Sequence, residues 1–209
     1  MLARNTISSM AVAAYGAFAL GLVCFAMPSQ AQEAEEAEAP PIIYQPDPDS
    51  PIGERNPDGP AELAQYDFLI GDWDVDITWY FQGQEPSKSY AKWHNHWVVN
   101  GNVVMLEWRG PQFTGTELRS WHPGKKIWEG ANIYPDFGQG VNTGITSEKD
   151  GDNMVVFIPF DGAEGPAINR ETYYDIEENS YKMKSDVSLD GGETWVRGQY
   201  EMTATRAED

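Results

Sequence analysis

From Asp72 to Phe81 the chain alternates without a break: Trp73, Val75, Ile77, Trp79 and Phe81 are apolar, whereas Asp72, Asp74, Asp76, Thr78 and Tyr80 are polar. Side chains of an extended chain point to opposite faces in turn, so this run predicts a half-buried strand with its aromatic face inside. Further strand-like runs follow at short spacing, over 89–99, 102–109, 116–122, 126–134, 140–147, 154–160, 168–176, 181–188 and 194–205. Turn chemistry separates them, as in Asn100-Gly101, His122-Pro123-Gly124, Lys149-Asp150-Gly151-Asp152, Glu177-Glu178-Asn179 and Asp190-Gly191-Gly192. No segment between them is long enough for a helical crossover, so the strands must pair antiparallel with their sequence neighbours. The fold class is therefore all-β, an antiparallel up-and-down barrel of about 8–10 strands, because closure removes the exposed edges. A two-sheet sandwich is the alternative. One helical turn over 61–68, with Leu63, Ala64 and Phe68 as its apolar positions, is expected just before the first strand.

The part ahead of that domain has a different character. Arg4 precedes an apolar run from Met10 to Met27, and Pro28, Ser29, Gln30 and Ala31 follow. A positive start, an apolar middle and small residues at 29 and 31 read as a secretory signal over 1–31, cleaved after Ala31. The alternative is an uncleaved anchor helix. Cys24, the chain's only cysteine, sits inside this segment, and Val23 before it argues against lipidation. The mature chain then has no thiol chemistry and no disulfide. From 32 to 60, Glu33, Glu35, Glu36 and Glu38 alternate with alanines, and seven of the chain's 14 prolines follow: Pro40, Pro41, Pro46, Pro48, Pro51, Pro57 and Pro60. This stretch reads as a disordered acidic leader, since proline removes backbone donors and like charges repel. The division is thus 1–31 signal, 32–60 leader and 61–209 barrel, in an exported protein that is periplasmic or secreted.

Charge narrows the function. With 14 basic against 33 acidic residues the net charge is -19, which repels phosphate backbones and excludes nucleic acid as a partner. The same sign disfavours anionic lipid, and no stable membrane insertion is expected once the signal is gone. No Gly-x-Ser-x-Gly elbow, phosphate loop or dinucleotide fingerprint occurs. Asp72, Asp74 and Asp76 spread along a strand instead of converging on one point, so they read as a solvated face and not a calcium site. Nothing in the sequence fixes an oligomeric state.

The run 89–109 carries the most chemistry. A turn at Asn100-Gly101 pairs Val99 with Asn102, His94 with Glu107 and Trp93 with Trp108. One face then shows His94, His96, Met105 and Glu107, and the other Trp93, Asn95, Trp97, Val104, Leu106 and Trp108. Two histidines beside a carboxylate can hold a zinc or ferrous ion, or act as base and acid. The apolar interior of the first strand instead favours the tryptophan face as the inner one, and no metal or cofactor is expected. The leading function is accordingly binding of a small apolar or aromatic ligand, with Trp79, Phe81, Trp93, Trp97 and Trp108 as its lining. The alternative is an acid–base enzyme of isomerase, cyclase or hydrolase type, with Glu107 as base, His94 orienting it, and His96 and Arg119 steadying negative charge. A surface glycan-binding β-sandwich is a further alternative.

Phe68-Leu69-Ile70-Gly71-Asp72-Trp73 opens the domain, and Asn100-Gly101, Glu107-Trp108, Gly115-Thr116, His122 to Trp128, Asp190 to Trp195 and Met202 to Arg206 follow in order. This set resembles an exported bacterial family of unknown function with a lipocalin-like, calycin-type barrel related to nitrobindin, whose opening signature is Phe-Leu-x-Gly-x-Trp. The resemblance implies a lipocalin-like fold over Tyr66 to Arg206 and no agreed reaction. Haem-binding relatives would offer the iron a histidine from inside the barrel, a role to which none of His94, His96 and His122 aligns. Ser188 to Trp195 also matches the Asp-box hairpin of sialidase-type propellers; a single copy reads as a turn device.

Overall fold

The computed structural model describes residues 53–111, 113–137, 140–163 and 165–208. The proposed signal, Cys24 and all but the end of the leader lie outside these residues. Ten strands form one closed ring in sequence order: Gly71–Trp79 (β1), Ser87–Val98 (β2), Val103–Arg109 (β3), Thr114–His122 (β4), Ile127–Ile133 (β5), Asn142–Asp150 (β6), Asn153–Gly162 (β7), Gly165–Tyr174 (β8), Ser180–Ser188 (β9) and Val196–Arg206 (β10). Every neighbour is antiparallel, and β10 closes on β1 with Trp73 opposite Arg206 and Trp79 opposite Tyr200. The barrel therefore replaces the sandwich alternative. No described helix is long and apolar enough to cross a membrane.

Register follows the side-chain pattern. Trp73 pairs with Trp93, and Trp93 with Trp108, so the tryptophan face of β2 and β3 is the inner face. His94 pairs with Glu107 on the outer face, in the register the turn signal predicts, although the connection takes in Val99 to Asn102 as a loop between Val98 and Val103. β1 ends at Trp79, two residues earlier than the alternation suggests. Phe81 lies past the strand, stacked on Trp79 at 6.1 Å, because a turn with Gly83 at φ +74° draws the chain away.

Ahead of β1 the chain forms a 3-10 helix, Ala61–Leu69, longer than the expected single turn. Its buried residues are Leu63, Tyr66 and Leu69, the spacing of a helix with three residues per turn. Ala64, expected on the apolar face, is exposed for that reason, and Phe68 is only partly buried. The helix shuts one end of the barrel. Trp73 Nε1 and Asn95 Nδ2 both donate to Leu69 O, at 2.8 and 3.0 Å. Trp128 Nε1 donates to Gln65 Oε1 at 3.0 Å, and the Tyr66 hydroxyl lies 2.7 Å from Ser147 Oγ. Edge-on rings fill the remaining space, Tyr66 on Trp128 at 4.7 Å and Trp73 on Tyr181 at 4.8 Å.

The last residues of the proposed leader are held against the β2–β3 loop. Asn56 N donates to Gly101 O at 3.0 Å, and Arg55 pairs with Asp67 at 3.1 Å. A Cβ at Gly101, where φ is +77°, would lie 2.3 Å from both Asn56 N and Glu54 O. Gly101→Ala is therefore expected to cost about 1–2 kcal/mol and to release this segment. New tryptic cleavage after Arg55 at native temperature is the check.

Candidate functional site

Strands β4, β5 and β8 carry polar side chains into the barrel at positions where β1 and β3 carry rings. In β4 Glu117 and Arg119 share a face with Trp121, and in β8 Asn169 and Glu171 share one with Tyr173. Glu117, Arg119 and Glu171 are only 5%, 1% and 7% exposed. Two glycines make the room. A Cβ at Gly130, opposite Arg119, would sit 2.9 Å from Arg119 Nη1, and one at Gly115 would sit 2.2 Å from the Tyr134 ring.

The groups form two hydrogen-bonded sets that act on one another electrostatically. Arg119 Nη2 donates to Glu117 Oε2 in a short ion pair, and Tyr134 OH donates to Glu117 Oε1 at 2.5 Å. Tyr200 OH donates to Glu171 Oε1 at 2.5 Å and accepts from Asn169 Nδ2 at 3.0 Å. The β9–β10 register shift between Arg197 and Glu201 lies beside Tyr200. Burial, with the negative charge of Glu117 behind it, pushes the Glu171 carboxyl up to about 7, against the Tyr200 hydrogen bond and Arg119. Burial alone would lower the Arg119 pKa, but Glu117, Tyr66, Tyr173 and Glu171 outweigh it and hold the guanidinium charged. Burial raises Tyr134 and Tyr200 well above the usual phenol value, so both stay proton donors. Arg119 Nε is buried with no hydrogen-bond partner among the described residues.

Aromatic rings pack at both ends of the barrel. At the helix end Trp73, Trp128, Tyr173 and Tyr181 are fully buried. Phe68 and Trp121 beside them, and Trp79, Phe113, Tyr134, Ile158 and Tyr200 at the other end, are partly buried. Phe113 stacks on Trp108 at 5.6 Å, and Tyr200 meets Trp79 edge-on at 5.6 Å. Between the two sets of rings the Glu117–Arg119–Glu171 cluster is buried.

Of the residues singled out from the sequence, Trp79, Trp93, Trp97 and Trp108 face inward, and Phe81 stands at the rim beside Trp79. His94, His96 and Glu107 come together on the outer wall, whereas Arg119 is inside. The sheet lies between them, so the four do not form one site. Among the outer three, His94 Nδ1 is 2.7 Å from Asp72 Oδ1, His96 Nδ1 is 4.0 Å from Glu107 Oε2, and Arg109 Nη2 donates to Glu107 Oε1 at 2.9 Å. His94 and Glu107 are nonetheless only 1% and 5% exposed. Burial, and His94 beside it, lower the His96 pKa and favour the neutral ring. Asp190, in the Asp-box match, accepts from Thr194 N at 2.9 Å and ties down its own turn. Glu117, Glu171, Tyr134 and Tyr200 join the site without any local motif to mark them. The usable signal was parity: Glu117 and Arg119 alternate in step with Trp121, and Glu171 with Tyr173.

A closed ten-strand antiparallel meander with a short helix across one end gives the chain a barrel fold of the lipocalin-like kind. No protein-family model and no curated protein sequence matches the chain. Two solved structures similar to it are the S-type phycobiliprotein lyase CPES of Guillardia theta and Rv2717c of M. tuberculosis. The first is 7% identical with a TM-score of 0.49, and the match covers 70% of this chain and 92% of that one. The second is 12% identical with a TM-score of 0.47, covering 72% of this chain and all of the other.

Proposed function

We propose that this chain is an exported binding barrel that takes up a small, largely apolar or aromatic ligand through the rim opposite the 3-10 helix. The make-up of the interior carries this reading: Trp79, Trp93, Trp97 and Trp108 face inward, and the polar groups of Glu117, Arg119 and Glu171 are buried among the rings. Inside, Arg119 Nε is a buried donor without a partner among the described residues, and with the Glu171 carboxyl it can meet one polar group on the ligand. Export rests on Arg4, the Met10 to Met27 run and Ala31. The opening signature Phe68 to Trp73 supports kinship with exported barrels of the family it resembles.

Titration by intrinsic tryptophan fluorescence, against fatty acids, indoles, naphthols and oligosaccharides, tests the binding claim. Saturable quenching by an apolar or aromatic compound is expected. Trp79→Ala at the rim should weaken it about tenfold, as loss of a central aromatic contact usually costs more than 1 kcal/mol. Saturation by oligosaccharides alone would favour the glycan reading, and no saturation would mean a solid core.

One observation favours an enzyme as the second reading. Glu171, buried and titrating at about 7 beside a second carboxylate, can take and give a proton at neutral pH. This moves the acid–base pair from His94 and Glu107 to Glu171 and Glu117. A Glu171→Gln chain that binds its ligand but leaves it unchanged where the parent converts it would establish that reading.

A further inference from the structure

The outer-wall cluster on β2 and β3 is separate from the interior, and its geometry is that of a ligand set. We propose that His94, His96 and Glu107 bind one divalent transition-metal ion of the zinc type, whatever the barrel holds inside. One donor atom from each of the three lies within 4.8 Å of the others. The scaffold is rigid: both histidines project from one face of β2, and Glu107 is directly opposite His94 on β3. Donors bound at about 2.0–2.2 Å to a tetrahedral ion stand roughly 3.3–3.6 Å apart. The 4.0 Å between His96 Nδ1 and Glu107 Oε2 is close to that spacing, and the whole set, within 4.8 Å, must draw in further to hold an ion.

Three features set this cluster apart from an ordinary polar patch. His96 Nδ1 is buried and has no hydrogen-bond partner among the described residues, a costly state for an imidazole nitrogen that a metal would relieve. Thr116 Oγ1, on β4 in register with Glu107, is likewise buried without a partner among the described residues, and is suited to a metal-bound water. Asp72 and Arg109 already grip the other ends of two of the ligands. Asp72 Oδ1 holds His94 Nδ1 at 2.7 Å, the arrangement in which a metal-binding histidine presents Nε2. Arg109 holds Glu107 Oε1 at 2.9 Å and leaves Oε2 toward His96. Two imidazoles and one carboxylate suit zinc, cobalt or nickel over calcium or magnesium, and three protein ligands leave a fourth position open.

The full chain, freed of metal with a chelator, is titrated with Zn²⁺ and with Co²⁺ in excess Mg²⁺. One ion per chain is expected, at micromolar affinity or better, with a tetrahedral cobalt absorption band. His96→Ala should weaken binding at least tenfold while leaving the circular dichroism spectrum unchanged. If that variant fails to fold, the parent chain still decides the matter through its imidazole nuclear magnetic resonance signals. The protein has three histidines; zinc should shift those of His94 and His96 and spare His122. Weak multi-site binding abolished by Mg²⁺, full binding by a folded His96→Ala chain, or a shift confined to His122 would each overturn the site.

Discussion

Arg119→Met is expected to lower the unfolding free energy by about 3–5 kcal/mol, the usual cost of removing one partner from a buried ion pair. The guanidinium is 1% exposed and is paired with Glu117. It also opposes the upward shift of Glu171. Without it two carboxyl groups share a lumen that holds no other buried cation among the described residues. Their escape is to bind protons, so the loss should be greatest above neutral pH and shrink in acid. For a domain of this size the thermal midpoint should fall by roughly 6–20 °C. Calorimetry of Arg119→Met, Glu117→Gln and the double variant checks the account. The double variant should recover most of the loss, because it removes the stranded charge together with its partner. A loss below about 1 kcal/mol would mean that the interior is wet enough to solvate both carboxylates.

Glu171→Gln should act in the opposite direction. The carboxyl is raised from its ordinary 4.5 to about 7 in the folded chain, so between those values the folded state keeps a proton that the unfolded state has released. Stability therefore falls as pH rises through this window, and above it the full penalty of a buried charge remains. Glutamine carries no such charge and can still accept from Tyr200 OH through its amide oxygen. At pH 8 the variant should be more stable than the parent by on the order of 3 kcal/mol, and near pH 4 the two should coincide. Urea unfolding at both values measures the difference. A variant less stable at pH 8 would show that the charged form is favoured inside, placing the Glu171 pKa below its usual value.

The ring of strands was legible because β1 alternates without interruption and because polar turns separate each later run. The β2–β3 register was legible too, since the longer loop over Val99 to Asn102 leaves the same residues opposite one another. The plug was legible in place but not in pitch. Ala64 and Phe68 suit an α-helix as well as Leu63, and only tertiary contact selects the three-residue spacing of Leu63, Tyr66 and Leu69. The interior cluster was half legible. Arg119 shares the parity of Trp121, but the strand alone leaves inward and outward about even, and that Glu117 and Glu171 act on one another depends on β4 and β8 facing a common interior. No local pattern contains that. The burial of His94 and Glu107 on an outer wall was likewise hidden, because alternation assigns a face to a side chain and says nothing of what lies over it.

The seam where β10 meets β1 sets an order on biosynthesis. Trp73 is opposite Arg206, and Ala207 N donates to Asp72 O at 2.9 Å, so the wall is completed by β10, the strand farthest along the chain from β1. Until that segment leaves the ribosome, β1 and β9 each keep a row of unpaired backbone groups, and the lumen has a slot along its whole height. A ring short of β10 also lacks Tyr200, the partner of Glu171, and leaves the Glu117–Arg119–Glu171 cluster open to water through that slot. Its charges lose their water in the same event that zips the seam, which couples the electrostatics of the interior to the final step of assembly.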